Sequence, residues 1–97
     1  MFAFSYPARF RHDAKGRRVV DFPGFSEAHT DGRDERAAFE EAIDCLGSAI
    51  AFRICEKAEV PRPSPLKRGQ RLVPVPFWVA GKLALYLAMK EQGVNNS

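Results

Sequence analysis

The chain has 97 residues, 45% of them apolar and 28% charged, with a formal net charge of +3. That length allows one small domain with a marginal core, and that composition excludes disorder throughout. No apolar run is long enough to span a membrane, the sequence shows no signal-peptide pattern, and two cysteines are too few for a disulfide scaffold.

Residues 2–10 alternate, with Phe2, Phe4, Tyr6, Ala8 and Phe10 on one face and Ala3, Ser5, Pro7, Arg9 and Arg11 on the other. This predicts a half-buried strand, at an edge or bulged at Pro7, which has no N–H to donate. His12-Asp13-Ala14-Lys15-Gly16 reads as a hairpin turn. Arg17 to Phe22 reads as a second strand with Val20 and Phe22 on one face. Pro23-Gly24 ends it, Phe25 to Thr30 forms a third, and Asp31-Gly32-Arg33 turns the chain into a helix.

That helix, from Asp34 to about Lys57, organises the domain. Asp34 is placed to cap it and Glu35 to meet its dipole. Phe39, Ile43, Leu46, Ile50 and Ile54 recur at steps of three and four, and Ala38, Ala42, Cys45, Ala49 and Phe52 widen the stripe. Cys45 and Cys55 share the helix about 15 Å apart, beyond disulfide reach, which suits a reducing cytoplasm.

Residues 59–70 form a proline-rich basic linker containing Pro61-Arg62-Pro63-Ser64-Pro65 and a turn at Lys67-Arg68-Gly69. Arg71 to Phe77 reads as a fourth strand. Pro74 and Pro76 deny donors to one edge, while Val73, Val75 and Phe77 can pair along the other. Trp78 to Gln92 reads as a second helix, apolar almost all round and closed by Gly93. Such a helix needs a larger core, and Asn96 or Ser97 would cap a further one. The expectation is a truncated chain, or a helix that packs on a partner.

The fold class expected is therefore α+β: a β-β-β-α-β domain over residues 1–77, with a three- to four-stranded sheet and one long helix packed on it. A linker-joined C-terminal helix follows over residues 78–97.

The search for chemistry is negative. His12, in a turn, and His29, in a short strand, have no ligand at metal spacing, so no metal or cofactor is expected. No P-loop, nucleophile elbow or dinucleotide fingerprint occurs. Asp21 alone does not make the paired carboxylates of a metal-dependent nuclease.

What remains is charge and aromatics. Residues 1–20 carry five bases and one acid, residues 21–44 two bases and eight acids, and residues 53–97 eight bases and three acids. Glu40, Glu41 and Asp44 fall on the outer side of the long helix, as a solvated face or as a surface for a basic partner. Phe22, Phe25 and Trp78 are core aromatics or interface anchors. Arg62, Lys67, Arg68 and Arg71 are inert linker charge or phosphate contacts. Exposed sheet edges and the apolar last helix predict a dimer or tetramer, with Val73, Val75, Phe77, Trp78, Leu83 and Leu87 at the interface.

Asp13, Gly16, Val19, Val20, Phe22, Pro23, Gly24, Gly32, Ala38, Ala42 and Leu46 fall in an order that resembles the N-terminal domain of HicB-type antitoxins. Val60-Pro61-Arg62-Pro63-Ser64 is similar to that family's linker, and Val73-Pro74-Val75-Pro76 to the strand before its second domain. The resemblance covers about residues 5–78, with the loop at Asp21-Phe22-Pro23-Gly24 shortened. It implies a degraded ribonuclease-H-like β-β-β-α-β domain without catalytic activity. It also implies a HicA-like partner, an mRNA-cleaving toxin of double-stranded-RNA-binding-domain shape. Trp78 to Ser97 is similar to the first helix and turn of a helix-turn-helix domain, which implies operator DNA as a partner of a longer chain and repression of its own operon. Against this stand two other readings: a small nuclease or nucleic-acid-binding protein of the same fold, and an oligomeric regulatory domain with no toxin.

Overall fold

The hairpin turn at Asp13–Gly16 sets the first half of the fold. Asp13 Oδ1 accepts from the Lys15 and Arg17 amides at 2.8 and 2.9 Å, and Gly16 takes φ +83°. A side chain there would cost strain, so the turn pins the register of the two strands it joins. In the computed structural model, which describes residues 4–93, these are β1 (Ser5–His12) and β2 (Arg18–Phe22), paired antiparallel from Arg9↔Asp21 to His12↔Arg18. Phe2 and Ala3 of the expected strand lie outside the described residues. At its other end β1 runs two residues further than expected, so His12 is a strand residue and not part of the turn.

β3 (Phe25–Gly32) follows across Pro23-Gly24 and pairs with β2, with an irregularity between Asp21 and Phe22. It outlasts the expected Thr30 because Asp31 still pairs with Val19 and Gly32 with Arg18. β4 (Gln70–Pro74) pairs antiparallel with β1, giving the sheet order β3-β2-β1-β4. β1 is thus an inner strand. Pro7 is tolerated because it precedes the stretch paired with β2 and faces only Leu72 of β4.

The fourth strand is shorter than the sequence suggests. The Val75 amide still donates to Phe4 O at 2.8 Å, but Pro76, at φ −63°, leads directly into α2 (Phe77–Glu91). Phe77 is therefore the first helical residue and has no place in the ladder. Since bonded pairs alternate along an antiparallel ladder, Pro74 presents its missing donor to the free edge, as its spacing implies.

α1 (Glu35–Cys55) lies across one face of the sheet, packed most heavily on β3. Asp34 caps it by accepting from the Ala37 amide at 2.8 Å. Its buried line is Ala38, Ala42, Leu46, Gly47, Ala49 and Ile50. Small residues hold the centre and bring the helix close to the sheet, while Phe39, Ile43 and Ile54 are only partly covered. Phe52 does not join the stripe: it is 64% exposed. Tyr6, Ala8, Val20, Phe22, Phe25, Ala28 and Val73 complete the core from the sheet side.

The proline-rich segment is packed, not free. Val60 is buried and its amide donates to the Tyr86 hydroxyl at 3.1 Å. The Tyr6 hydroxyl donates to Pro61 O at 2.6 Å, and Arg62 meets Glu91 at 3.2 Å. These contacts tie the segment to β1 and to α2. α2 buries one face, Val79, Leu83 and Leu87, in the same core. The rest of its apolar surface is open, Phe77 at 91% and Leu85 at 62% exposure.

Burial pushes the Tyr6 phenol up to about 12, against a smaller opposing effect of Arg62. An unfolded tyrosine ionises near 10. The folded state therefore keeps this advantage below about pH 10 and loses it as pH rises toward 12, on the order of 2 kcal/mol. Tyr6→Phe is expected to cost about 1 kcal/mol at neutral pH, by stranding the Pro61 carbonyl. The gap between the two melting curves should then close and reverse between about pH 10 and 12. A gap that stays constant across that window would refute the assignment.

Candidate partner-binding surface

The outer side of α1 is fixed by what anchors its first turns. Glu35 accepts from Arg18 at 3.0 Å and from Arg71. The Arg71 guanidinium also lies over the Phe10 and Phe39 rings, 5.2 and 4.8 Å from their centroids. Phe10 and Phe39 stack at 6.2 Å. With that side held against β1 and β4, helical geometry turns Glu40, Glu41 and Asp44 to solvent, and all three are exposed. Glu40 has Arg36 one turn back at 3.8 Å, a weak exposed pair.

Cys45 lies at the border between this acidic face and the sheet. Burial raises its thiol, and the charges of Glu27 on β3 and Glu41 on α1 raise it further. Both effects disfavour the thiolate, the form that acts as a nucleophile. Glu27 is held by Arg53, whose Nε and Nη2 donate to its two carboxylate oxygens at 2.7 and 2.6 Å, and this lowers its carboxyl below the usual range. Arg53 also donates to Glu59 O at 2.9 Å and lies 4.8 Å from the Phe25 ring centroid. Nothing in the sequence marks Arg53, because its partners come from other elements.

Among the described residues no helix lies over the opposite face of the sheet. Asp21 is held there by Arg9 at 2.7 Å and Arg11 at 4.0 Å, which lowers its carboxyl. It is an ion-pair partner on an open face. Among the described residues no group of three His, Cys, Asp or Glu side chains converges to hold a metal, and no helix is long and apolar enough to cross a membrane.

The residues singled out from sequence separate into two sets. Glu40, Glu41 and Asp44 form one exposed cluster on α1. Phe22 and Phe25 lie in the core, Phe25 edge-on to Tyr6 at 5.1 Å, so in this conformation their rings pack the protomer. Val73, Val75, Leu83 and Leu87 are also buried within the protomer, and of that group only Phe77 and Trp78 face solvent. Periodicity identifies an apolar face but not what covers it, which is why core and interface were not separable beforehand.

A family model described as the HicB-like antitoxin of bacterial toxin–antitoxin systems matches residues 5–84. Antitoxin HicB 2 of Photorhabdus laumondii is 35% identical over 92 residues, covering 95% of this chain and 64% of that protein. Antitoxin HicB of Escherichia coli K12 is 32% identical over 89 residues, again covering 64% of its length. The chain thus spans just under two thirds of these relatives. In fold it is similar to a chain of a toxin–antitoxin complex from Streptococcus pneumoniae, with a TM-score of 0.67, 23% identity, and coverage of 97% of this chain and 91% of that one.

Proposed function

The chain belongs to the HicB-like antitoxin family of bacterial toxin–antitoxin systems, and on that premise we propose that it binds and neutralises a HicA-like, mRNA-cleaving toxin without catalysis of its own. The observation that carries the reading to a surface is the exposed acidic cluster Glu40, Glu41 and Asp44 on a firmly anchored helix. A ribonuclease must present cations to RNA, and an acidic helix laid over them excludes substrate by competition. The relatives' names support the antitoxin role, and the site assignment rests on charge complementarity.

Three further parts belong to the same proposal. The protein acts in the cytoplasm, where its two free cysteines stay reduced. It self-associates through apolar residues at the start of α2, the open Phe77 and the half-exposed Trp78. In a chain that carries the rest of a DNA-binding domain, α2 is its first helix and the assembly represses its own operon.

The test is co-expression with the short basic protein encoded beside this chain, followed by size exclusion and an RNA-cleavage assay. The expected result is a stable complex with cleavage suppressed. A lone oligomer and undiminished cleavage would remove the antitoxin reading and favour a regulatory domain with no toxin.

A further inference from the structure

One end of the sheet gathers two basic turns whose cations are left unneutralised. The first is Asp13–Gly16 between β1 and β2. The second, Lys67–Gly69, leads into β4 and is closed by the Gln70 amide on Lys67 O at 3.1 Å and the Lys67 amide on Gln70 Oε1 at 2.9 Å. Gln70 pairs with Arg9, which sets the second turn beside the end of β1 from which the first turn departs. Gly69, at φ +82°, plays the part that Gly16 plays in the other turn.

The acids at this end are already engaged. Asp13 is spent on the Lys15 and Arg17 amides, Asp21 on Arg9, Asp31 on Arg17 at 2.9 Å, and Glu35 on Arg18 and Arg71. Among the described residues no ion pair engages Lys15, Lys67 or Arg68, and Arg11 reaches Asp21 only at 4.0 Å. All four are exposed. The result is a rim of four exposed cations: Lys15, Lys67 and Arg68 on the two hydrogen-bonded turns, and the weakly paired Arg11 near the end of β1.

We propose that this rim binds the phosphate backbone of nucleic acid. A protein partner would need apolar anchors, and neither turn carries an apolar side chain larger than that of Ala14. Neither carries an aromatic ring on which a base could stack, so the contact is with phosphates and independent of sequence. Binding by four cations to duplex DNA should weaken with salt at a log–log slope of about −3.6, and somewhat less steeply for a single strand.

The experiment is a fluorescence-anisotropy titration of the chain alone, with no toxin present, against a short duplex DNA and a short single-stranded RNA of arbitrary sequence. The expected result is binding at about 50 mM salt that weakens on the order of 100-fold by about 200 mM. It should be abolished in the triple variant Lys15→Glu, Lys67→Glu, Arg68→Glu, with the melting temperature unchanged. The polymer bound more tightly identifies the source of the phosphates. No binding of either polymer at low salt, or a triple variant that binds like the parent, overturns the proposal and leaves the antitoxin reading untouched.

Discussion

Gly32→Ala is expected to be the most damaging single substitution of one small side chain for another in this protein. A Cβ at Gly32 would stand 2.4 Å from the Ala38 amide nitrogen, 2.7 Å from Ala38 Cα and 2.8 Å from the Ala37 carbonyl carbon. All three are backbone atoms of the first turn of α1. That turn cannot yield cheaply, because the Asp34 side chain holds the Ala37 amide and Ala38 is buried on the sheet. The helix must lift from β3, where it packs most closely, at a cost of about 3 kcal/mol. In a chain of this size that lowers the melting temperature by roughly 15 °C. Gly81→Ala is the control. Gly81 sits in the interior of α2 with open space around it, so a methyl group should stabilise by about 0.5–1 kcal/mol. If Gly32→Ala melted within a couple of degrees of the parent, the close approach of β3 and α1 would be wrong.

The same juncture shows what the sequence made legible. The alternation in β1, the Asp13–Gly16 turn, the cap at Asp34 and the small residues along α1 all act over a few residues. Each led to the element that the structure contains. The order β-β-β-α-β followed, and with it the α+β class. Legibility failed where an outcome depends on contacts between distant segments. The spacing places Pro76 in a strand, yet it sits extended at the start of α2, where Gly47 leaves a seat for Pro76 and Trp78. A Cβ at Gly47 would lie 2.5 Å from Pro76 Cγ and 2.8 Å from Trp78 Cζ2. The buried anchoring of the proline-rich segment by Tyr6 and Tyr86 is likewise invisible in composition, which reads such a stretch as an extended spacer. For the site, the outward turn of Glu40, Glu41 and Asp44 followed from helical spacing alone. The interior positions of Phe22 and Phe25 did not, since an aromatic residue suits a core and an interface equally.

Reversing the acidic cluster should have the largest functional effect. In the triple variant Glu40→Lys, Glu41→Lys, Asp44→Lys, a face of three negative charges becomes one of three positive charges, opposed to the basic surface that a ribonuclease presents. Electrostatic steering raises association rates by orders of magnitude at low salt and fades as ions screen it. The association rate with the toxin is therefore expected to fall about 10- to 100-fold at low ionic strength, with the difference shrinking as salt is added. Dissociation should change less, because electrostatic steering acts on encounter, before contact forms. Folding should be little affected: among the described residues the one ion pair lost is between Arg36 and Glu40, at 3.8 Å on the open surface of α1. Stopped-flow mixing at two salt concentrations separates these effects. Equal association rates for parent and variant at low salt would take the acidic face of α1 out of the encounter. A parent chain that forms no complex at all would instead count against the antitoxin role itself.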